Sequence, residues 1–393
     1  MLLPPVPRSY FDRLDPRRGD CLPQDKAVID SLVDSLLPIL TTFDLGWQGS
    51  TNAGGQRDGK GVFLNRNGDC YIGEYACDRM EGSGKYIYPS GSVYTGHFSN
   101  DLREGQGVYS NINGNEYSGE YHLDKKHGYG ILKYANGDVY EGMFSEGKRH
   151  GQGTYKTAKN YTYTGEWSQG IKHGQGVSIY SDGSSYEGKY RNDKRGGQGT
   201  YKYSNGNEYS GEFKEDKKEG KGTFKYSNGN EYIGEFKEDK KEGQGTFRYS
   251  RGSKYVGGFK NDLKDGEGVD TYVDGNEYAG GFKKDMKHGY GVLKYANGDI
   301  YEGEFKNNFI DGQGTFKSSN GDVYVGAFKN GKRCGQGKLS FCNGDNYEGE
   351  FNYGKMNGNG VYTYSNGKRL IGVFKDDECI TRLQESSTCC ILS

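Results

Sequence analysis

Four sets of residues in this chain have the types and spacing that chemistry requires. The first is thirteen copies of Gly-X-Gly, from Gly82 and Gly84 to Gly358 and Gly360. A phosphate-cradling loop reads GxxxxGK[ST] and opens a helix. The nearest approach, Gly82-Ser83-Gly84-Lys85, runs on into Tyr86 and an extended segment. The second set is His127, His150, His173 and His288. A metal ion needs its ligands converging at ~2 Å from one point, whereas these residues share one phase of a repeat and would stand about 10 Å apart on stacked strands. The third set is Glu74, Glu120, Glu166, Glu212, Glu235, Glu304 and Glu350, each followed by an aromatic residue. They read as solvated strand charges, not as paired acids. No enzyme, catalytic residue, metal site or cofactor is expected.

The fourth set is Cys389-Cys390-Ile391-Leu392-Ser393. Its last four residues fit a prenylation box, with Cys390 as prenyl acceptor and a final serine that favours farnesyl. One lipid chain gives only reversible attachment, so the neighbouring Cys389 is the expected palmitoylation site. Basic residues near this end are few and are offset by Asp376, Asp377 and Glu378, which argues against a polybasic second signal.

Composition limits what can position these residues. The chain has 393 residues, with 67 glycines and 35 tyrosines but 32% hydrophobic residues. It cannot fill a thick aliphatic core, but it can pack rings against glycine gaps. A net charge of −1 implies no bulk attraction to nucleic acid or membrane. No segment approaches the ~20 apolar residues of a membrane span, and the start, MLLPPVPRSYFDR, lacks the apolar run of a signal peptide. Cytosolic synthesis and free thiols are expected.

The chain repeats itself. Tyrosine recurs every 23 residues from Tyr71 to Tyr347, giving thirteen units over 71–369 without a slip. Counting that tyrosine as the first place, glycine holds the third, twelfth and fourteenth, and an aromatic the fifth. A unit such as GTFKYSNGNEYIGEF is too short for a helical crossover. It alternates with period two on both sides of Asn228-Gly229, which predicts a hairpin with a type I′ turn. At Lys159-Asn160 the glycine is missing, but asparagine also tolerates left-handed geometry. Tyr232, Gly234 and Phe236 fall on one face, joined by Phe247 and Tyr249, with Glu235 and Arg248 on the other. A lone hairpin cannot bury the aromatic face, but stacked hairpins can. The glycines then mark places where no side chain fits beside a ring or a tight bend.

These residues closely resemble the MORN repeat family (membrane occupation and recognition nexus), whose unit is YxGxF followed by GxGxxxxxxG at this period. The resemblance implies an all-β fold, an elongated, twisted antiparallel β solenoid with one hairpin per repeat. It also implies a non-catalytic repeat. Some family members bind anionic phospholipid, and others bind protein or form homodimers.

The ends divide as follows. Residues 1–42 form an irregular tail and an amphipathic helix, with Val28, Ile29, Leu32, Val33 and Leu36 in one stripe, suited to a short N-terminal helical cap or to partner binding. Residues 43–70 read as a degenerate opening repeat, 370–380 as a closing half-repeat, and 381–393 as a flexible tail. At the tenth place stands a basic row of Arg103, Lys126, Arg149, Lys172, Arg195, Lys218, Lys241, Lys264, Lys287 and Arg333. This row is the candidate site for anionic headgroups, at roughly 1 kcal/mol per residue, against the alternative of a solvated loop edge. The sequence predicts a non-enzymatic scaffold or adaptor, lipid-anchored on the cytoplasmic side of a membrane in a eukaryotic cell and recruiting proteins, anionic lipids or both. The alternatives are a soluble cytoskeletal or ciliary structural protein, and a subunit that positions a lipid kinase or other enzyme. No nucleic acid partner is expected.

Overall fold

A computed structural model describes residues 46–386. The tail and helix expected over 1–42, with Cys389 and Cys390, lie outside the described residues. The described chain is all-β, with thirty strands from Gly46–Thr51 to Glu378–Ser386 and no helix among the described residues. It forms two compact units divided between Gly196 and Gly197. The first holds the thirteen strands from Gly46–Thr51 to Ser185–Arg191. The division falls within the strand Lys194–Lys202, and sixteen further strands follow from Glu208–Lys214. Within each unit every strand pairs antiparallel with its successor, as Gly151 opposite Trp167 does in the first and Gly243 opposite Phe259 in the second.

One repeat shows how the sequence sets this up. Glu231–Lys237 pairs with Lys240–Arg248, placing Tyr232 opposite Phe247, Gly234 opposite Gly245 and Phe236 opposite Lys241. The register shifts between Gly234 and Glu235, so the longer strand carries a bulge. Lys254–Lys260 then pairs with the same long strand, placing Tyr255 opposite Phe247 and Gly257 opposite Gly245. Tyr232 and Phe236 are buried at 0% and 5% exposure, while Ile233 on the opposite face is 40% exposed. The expected alternation is therefore observed.

The turns differ from expectation. Asn228-Gly229 does not form a type I′ turn. The Gly229 N–H donates to the Tyr226 carbonyl at 2.9 Å, and the Tyr226 N–H to the Asn230 carbonyl at 2.9 Å. Only Gly229 is left-handed, with φ of 85°, which makes a three-residue loop with a glycine bulge. The Asn228 side chain explains the preference, because its Oδ1 accepts the Asn230 N–H at 3.0 Å in an Asx turn. At Lys159-Asn160 the asparagine takes the left-handed place, with φ of 63°.

The primed geometry sits at the other end of the hairpin, where this repeat carries Glu238-Asp239 and only the unit at Asn330-Gly331 carries Asn-Gly. Glu238 and Asp239 have φ of 49° and 71°, a conformation costing roughly 1–2 kcal/mol per residue. Bonds to the previous repeat offset that cost. The Asp239 N–H donates to the Lys218 carbonyl at 3.1 Å, and its carboxylate accepts the Lys218 N–H at 2.9 Å.

Both ends of the repeat series are built by the same rules. Trp47 takes the tyrosine's place in the opening hairpin, where a Cβ on Gly61 would run into its ring. At the other end, the strand Glu378–Ser386 runs past residue 380 into the segment expected to be tail. Its outer part is held by backbone pairing, Arg382 opposite Gly372 and Gln384 opposite Ile371, which no side-chain pattern in LQESS announces.

Candidate functional site

The aromatic face carries the repeated chemistry. In all thirteen units the first tyrosine folds back over its own hairpin. Its hydroxyl donates to the backbone carbonyl three residues on, at 2.8–3.1 Å. The bond satisfies a phenol that is otherwise buried. A Cβ on Gly234 or Gly245 would fall 2.4–2.7 Å from atoms of the Tyr232 ring or from the Gly245 backbone. The Gly-X-Gly motif is therefore the floor under a tyrosine ring, and no helix follows it. Burial pushes the phenol pKa up to about 12 at Tyr140, Tyr278, Tyr324 and Tyr347, and further at Tyr71 and Tyr94.

The basic row lies on this face. The bulge beside the third place brings the tenth residue opposite the fifth, as Arg103 opposite Phe98 and Lys241 opposite Phe236. Nine of the ten side chains are half-buried, and Lys264 is buried. The Arg149 guanidinium lies 4.1 Å from the Trp167 ring centroid. Arg103 lies 4.9 Å from Tyr121, Lys126 is 4.9 Å from Tyr117, and Lys172 is 5.2 Å from Tyr161. Arg195 stands 5.7 Å from Tyr186, Lys218 is 5.0 Å from Phe224, and Lys241 is 4.9 Å from Phe247. Lys264 lies 4.5 Å from Tyr255, Lys287 is 5.0 Å from Tyr278, and Arg333 is 5.4 Å from Phe351. Such contacts contribute about 0.5–2 kcal/mol each. Burial among rings lowers the ammonium pKa of Lys126, Lys241 and Lys287. Lys264 also forms a buried ion pair with Asp270 at 2.6 Å.

Other polar residues join one repeat to the next. Glu219 accepts the Glu238 N–H at 3.1 Å, and Asn207 and Asn230 accept the Ser227 and Ser250 N–H groups at 2.9 Å. His127 is half-buried, His150 and His173 are exposed, and the His127 ring stands 5.5 Å from that of His122. No group of three His, Cys, Asp or Glu residues that could hold a metal ion occurs among the described residues. The five described cysteines, Cys70, Cys77, Cys334, Cys342 and Cys379, are free. Among the described residues no helix is long and apolar enough to cross a membrane.

Sequence reading missed the loop aspartates. Asp78, Asp101, Asp124, Asp193, Asp239, Asp262 and Asp285 all occupy the eighth place and bond the previous repeat through their backbone. The signal was their constant phase, obscured because Gly147, Gly170, Gly331 and Gly354 fill the same place elsewhere.

A search of curated proteins returns no match. Among solved structures, this chain resembles the SAS-4 (dCPAP) TCP domain of Drosophila melanogaster, solved with a proline-rich motif of Ana2. Identity is 12% over 50% of this chain and 99% of that one, at a TM-score of 0.26. It also resembles the TCP10 domain of Danio rerio CPAP with a STIL peptide, at 10% identity over 72% and 96% of the two chains and a TM-score of 0.18. Virginiamycin B lyase from Staphylococcus aureus matches at 10% identity over 84% and 98%, with a TM-score of 0.13. Superpositions this low carry no functional information. The MORN repeat model matches fourteen segments between residues 53 and 369, thirteen of them beginning at the tyrosines of the 23-residue units. With the ring-on-glycine hairpin repeated in every unit, this chain belongs to the MORN repeat family.

Proposed function

We propose that this repeat scaffold is non-catalytic and is held at the cytoplasmic face of a eukaryotic membrane by a prenyl group on Cys390 and a palmitoyl group on Cys389. There it recruits proteins, anionic lipids or both along its hairpins. The observation that carries the scaffold reading is the tyrosine hydroxyl bond found in all thirteen units. The residues that recur are spent on holding one hairpin and joining it to the next. The lipid anchor rests on the sequence Cys389-Cys390-Ile391-Leu392-Ser393, whose last four residues fit a prenylation box.

Anionic headgroups are the lipid partner assigned to the row from Arg103 to Arg333. Its cations lie against rings, so a phosphate meets them at the rim of the aromatic face. Protein lacking residues 389–393 should sediment with phosphatidylserine vesicles at low salt. Lys126→Gln, Lys241→Gln and Lys287→Gln together should weaken that binding while circular dichroism stays unchanged.

The anchor is tested by mass spectrometry of the C-terminal peptide from the native source and by membrane fractionation. The expected peptide ends at a farnesylated, carboxymethylated Cys390, and Cys390→Ser moves the protein to the soluble fraction. Cys389→Ser leaves it prenylated and weakly held. An intact, unmodified Ser393 terminus on protein from eukaryotic cytosol overturns the anchor.

A further inference from the structure

In seven units, from Glu74 to Glu350, the fourth residue is glutamate. Its carboxylate folds back over the glycine at the twelfth place. A Cβ built on Gly243 would fall 2.4 Å from the Glu235 carboxylate, and one on Gly174 would fall 2.3 Å from that of Glu166. Where the bond to the backbone is formed, the donor is the N–H at the thirteenth place. The Gln175 N–H donates to Glu166 at 2.8 Å, and the Asn359 N–H to Glu350 at 3.2 Å. The repeat therefore contains a carboxylate seat on the face opposite the rings.

Two consecutive units leave the seat empty. Gly258 and Gly281 stand where glutamate would, and a Cβ built on Gly266 or Gly289 would meet nothing within 4 Å. The gap cannot be closed by a side chain from the same place. A Cβ on Gly258 would fall 2.2 Å from the Asp265 carbonyl oxygen, and one on Gly281 would fall 2.3 Å from that of His288. A cleft of about 600 Å³ opens at this point, lined by Lys260, Lys283 and Lys284 with Asp265, Glu267 and His288. Three ammonium groups face two carboxylates, so the lining favours an anion. His288 lines the same cleft, and its Nδ1 is buried without a hydrogen-bond partner.

We propose that this cleft binds an acidic peptide segment of a partner protein, with a carboxylate of that partner taking the seat that glutamate fills in seven other units. The backbone N–H of Glu267, which lines the cleft, stands at the place of Gln175 and Asn359 and donates to it. Lys260, Lys283 and Lys284 supply the opposite charge at the mouth. The inference gives the recruiting role proposed above one class of partner. It is tested on purified, unlipidated protein, so failure of the lipid anchor leaves it standing.

The probe is fluorescein-labelled hexaglutamate, read by anisotropy at low salt against the full chain. Saturable binding is expected, weakened at least tenfold by Lys260→Glu, Lys283→Glu and Lys284→Glu together, with an unchanged melting curve. The control Lys214→Glu, Lys225→Glu and Lys237→Glu removes the same charge elsewhere and should weaken binding less than threefold. Labelled hexalysine should not bind. Absence of binding, or equal weakening by the two triple variants, overturns the site. Complete displacement by an equal concentration of free glutarate overturns the peptide assignment in favour of a small dicarboxylate.

Discussion

Tyr232 stands between two phenyl rings, Phe236 of its own hairpin at 5.1 Å and Phe259 of the next at 4.9 Å, each met edge to face. The same geometry joins Tyr278 to Phe282 and Phe305. A repeat is therefore completed by a ring it does not encode. Tyr232→Ala should cost about 3–5 kcal/mol in chemical denaturation, the range for truncating a buried aromatic. Tyr232→Phe keeps the ring and loses only the bond to the Glu235 carbonyl, so it should cost about 1 kcal/mol. Equal losses would show that the hydroxyl, not the ring stack, holds the units together.

Glycines of the repeat should differ in cost by position. Gly245→Ala puts a methyl group about where the Tyr232 ring lies, 2.5–2.7 Å from its atoms, and should cost about 1–3 kcal/mol or more from overpacking. Gly229→Ala meets only the Ser250 Cβ at 3.2 Å and pays mainly the left-handed backbone, about 1–2 kcal/mol. Only the first should also perturb the near-ultraviolet tyrosine spectrum.

The eighth place separates backbone from side chain. Asp239 is left-handed and bonds Lys218 through both its N–H and its carboxylate. Asp239→Gly keeps the backbone bond without strain, as Gly147 and Gly170 do. Asp239→Ala keeps neither the carboxylate nor an easy left-handed conformation. The melting temperature should therefore fall further for alanine than for glycine, and the reverse order would contradict this account of the loop.

Much of this was legible in the sequence, for physical reasons. The 23-residue phase of Tyr232, Gly234, Phe236 and Gly245 has few folded solutions, because period-two alternation fixes which residues share a face. The bulge at Gly243 and Gln244 of the longer strand was not legible, and it sets Lys241 opposite Phe236. With those two residues passed over, the tenth place falls opposite the aromatic at the fifth, and the basic row lies over rings. Asn228-Gly229 misled for a related reason, since the dipeptide fits two loop lengths and the choice rests on the bond from Asn230 to the Asn228 side chain. The empty seats at Gly258 and Gly281 were visible as letters. Their meaning required seeing where Glu166 and Glu235 put their carboxylates.

Alkali should dissolve the fold. Buried phenols such as Tyr140, Tyr278, Tyr324 and Tyr347, with pKa raised to about 12 by burial, stay protonated in the folded chain while unfolded tyrosine ionises near 10. Their contribution is complete below pH 10 and is lost as pH rises from there through 12. Absorbance at 295 nm should show late, cooperative ionisation coincident with loss of the β signal in circular dichroism. Independent, noncooperative titration of these tyrosines near pH 10 would contradict their burial.

The account turns on each 23-residue unit being completed by its immediate neighbours and by nothing more distant. Excising residues 232–254 removes one whole unit and brings Tyr209 against the ring of Phe259 in the place of Phe236, now 4.9 Å away. The shortened chain should keep its β circular dichroism and melt cooperatively at a slightly lower temperature. One extra residue after Phe236, a far smaller change, should do more damage by breaking the register. If excising the unit unfolds the chain while the single insertion is tolerated, the repeat-by-repeat account is wrong.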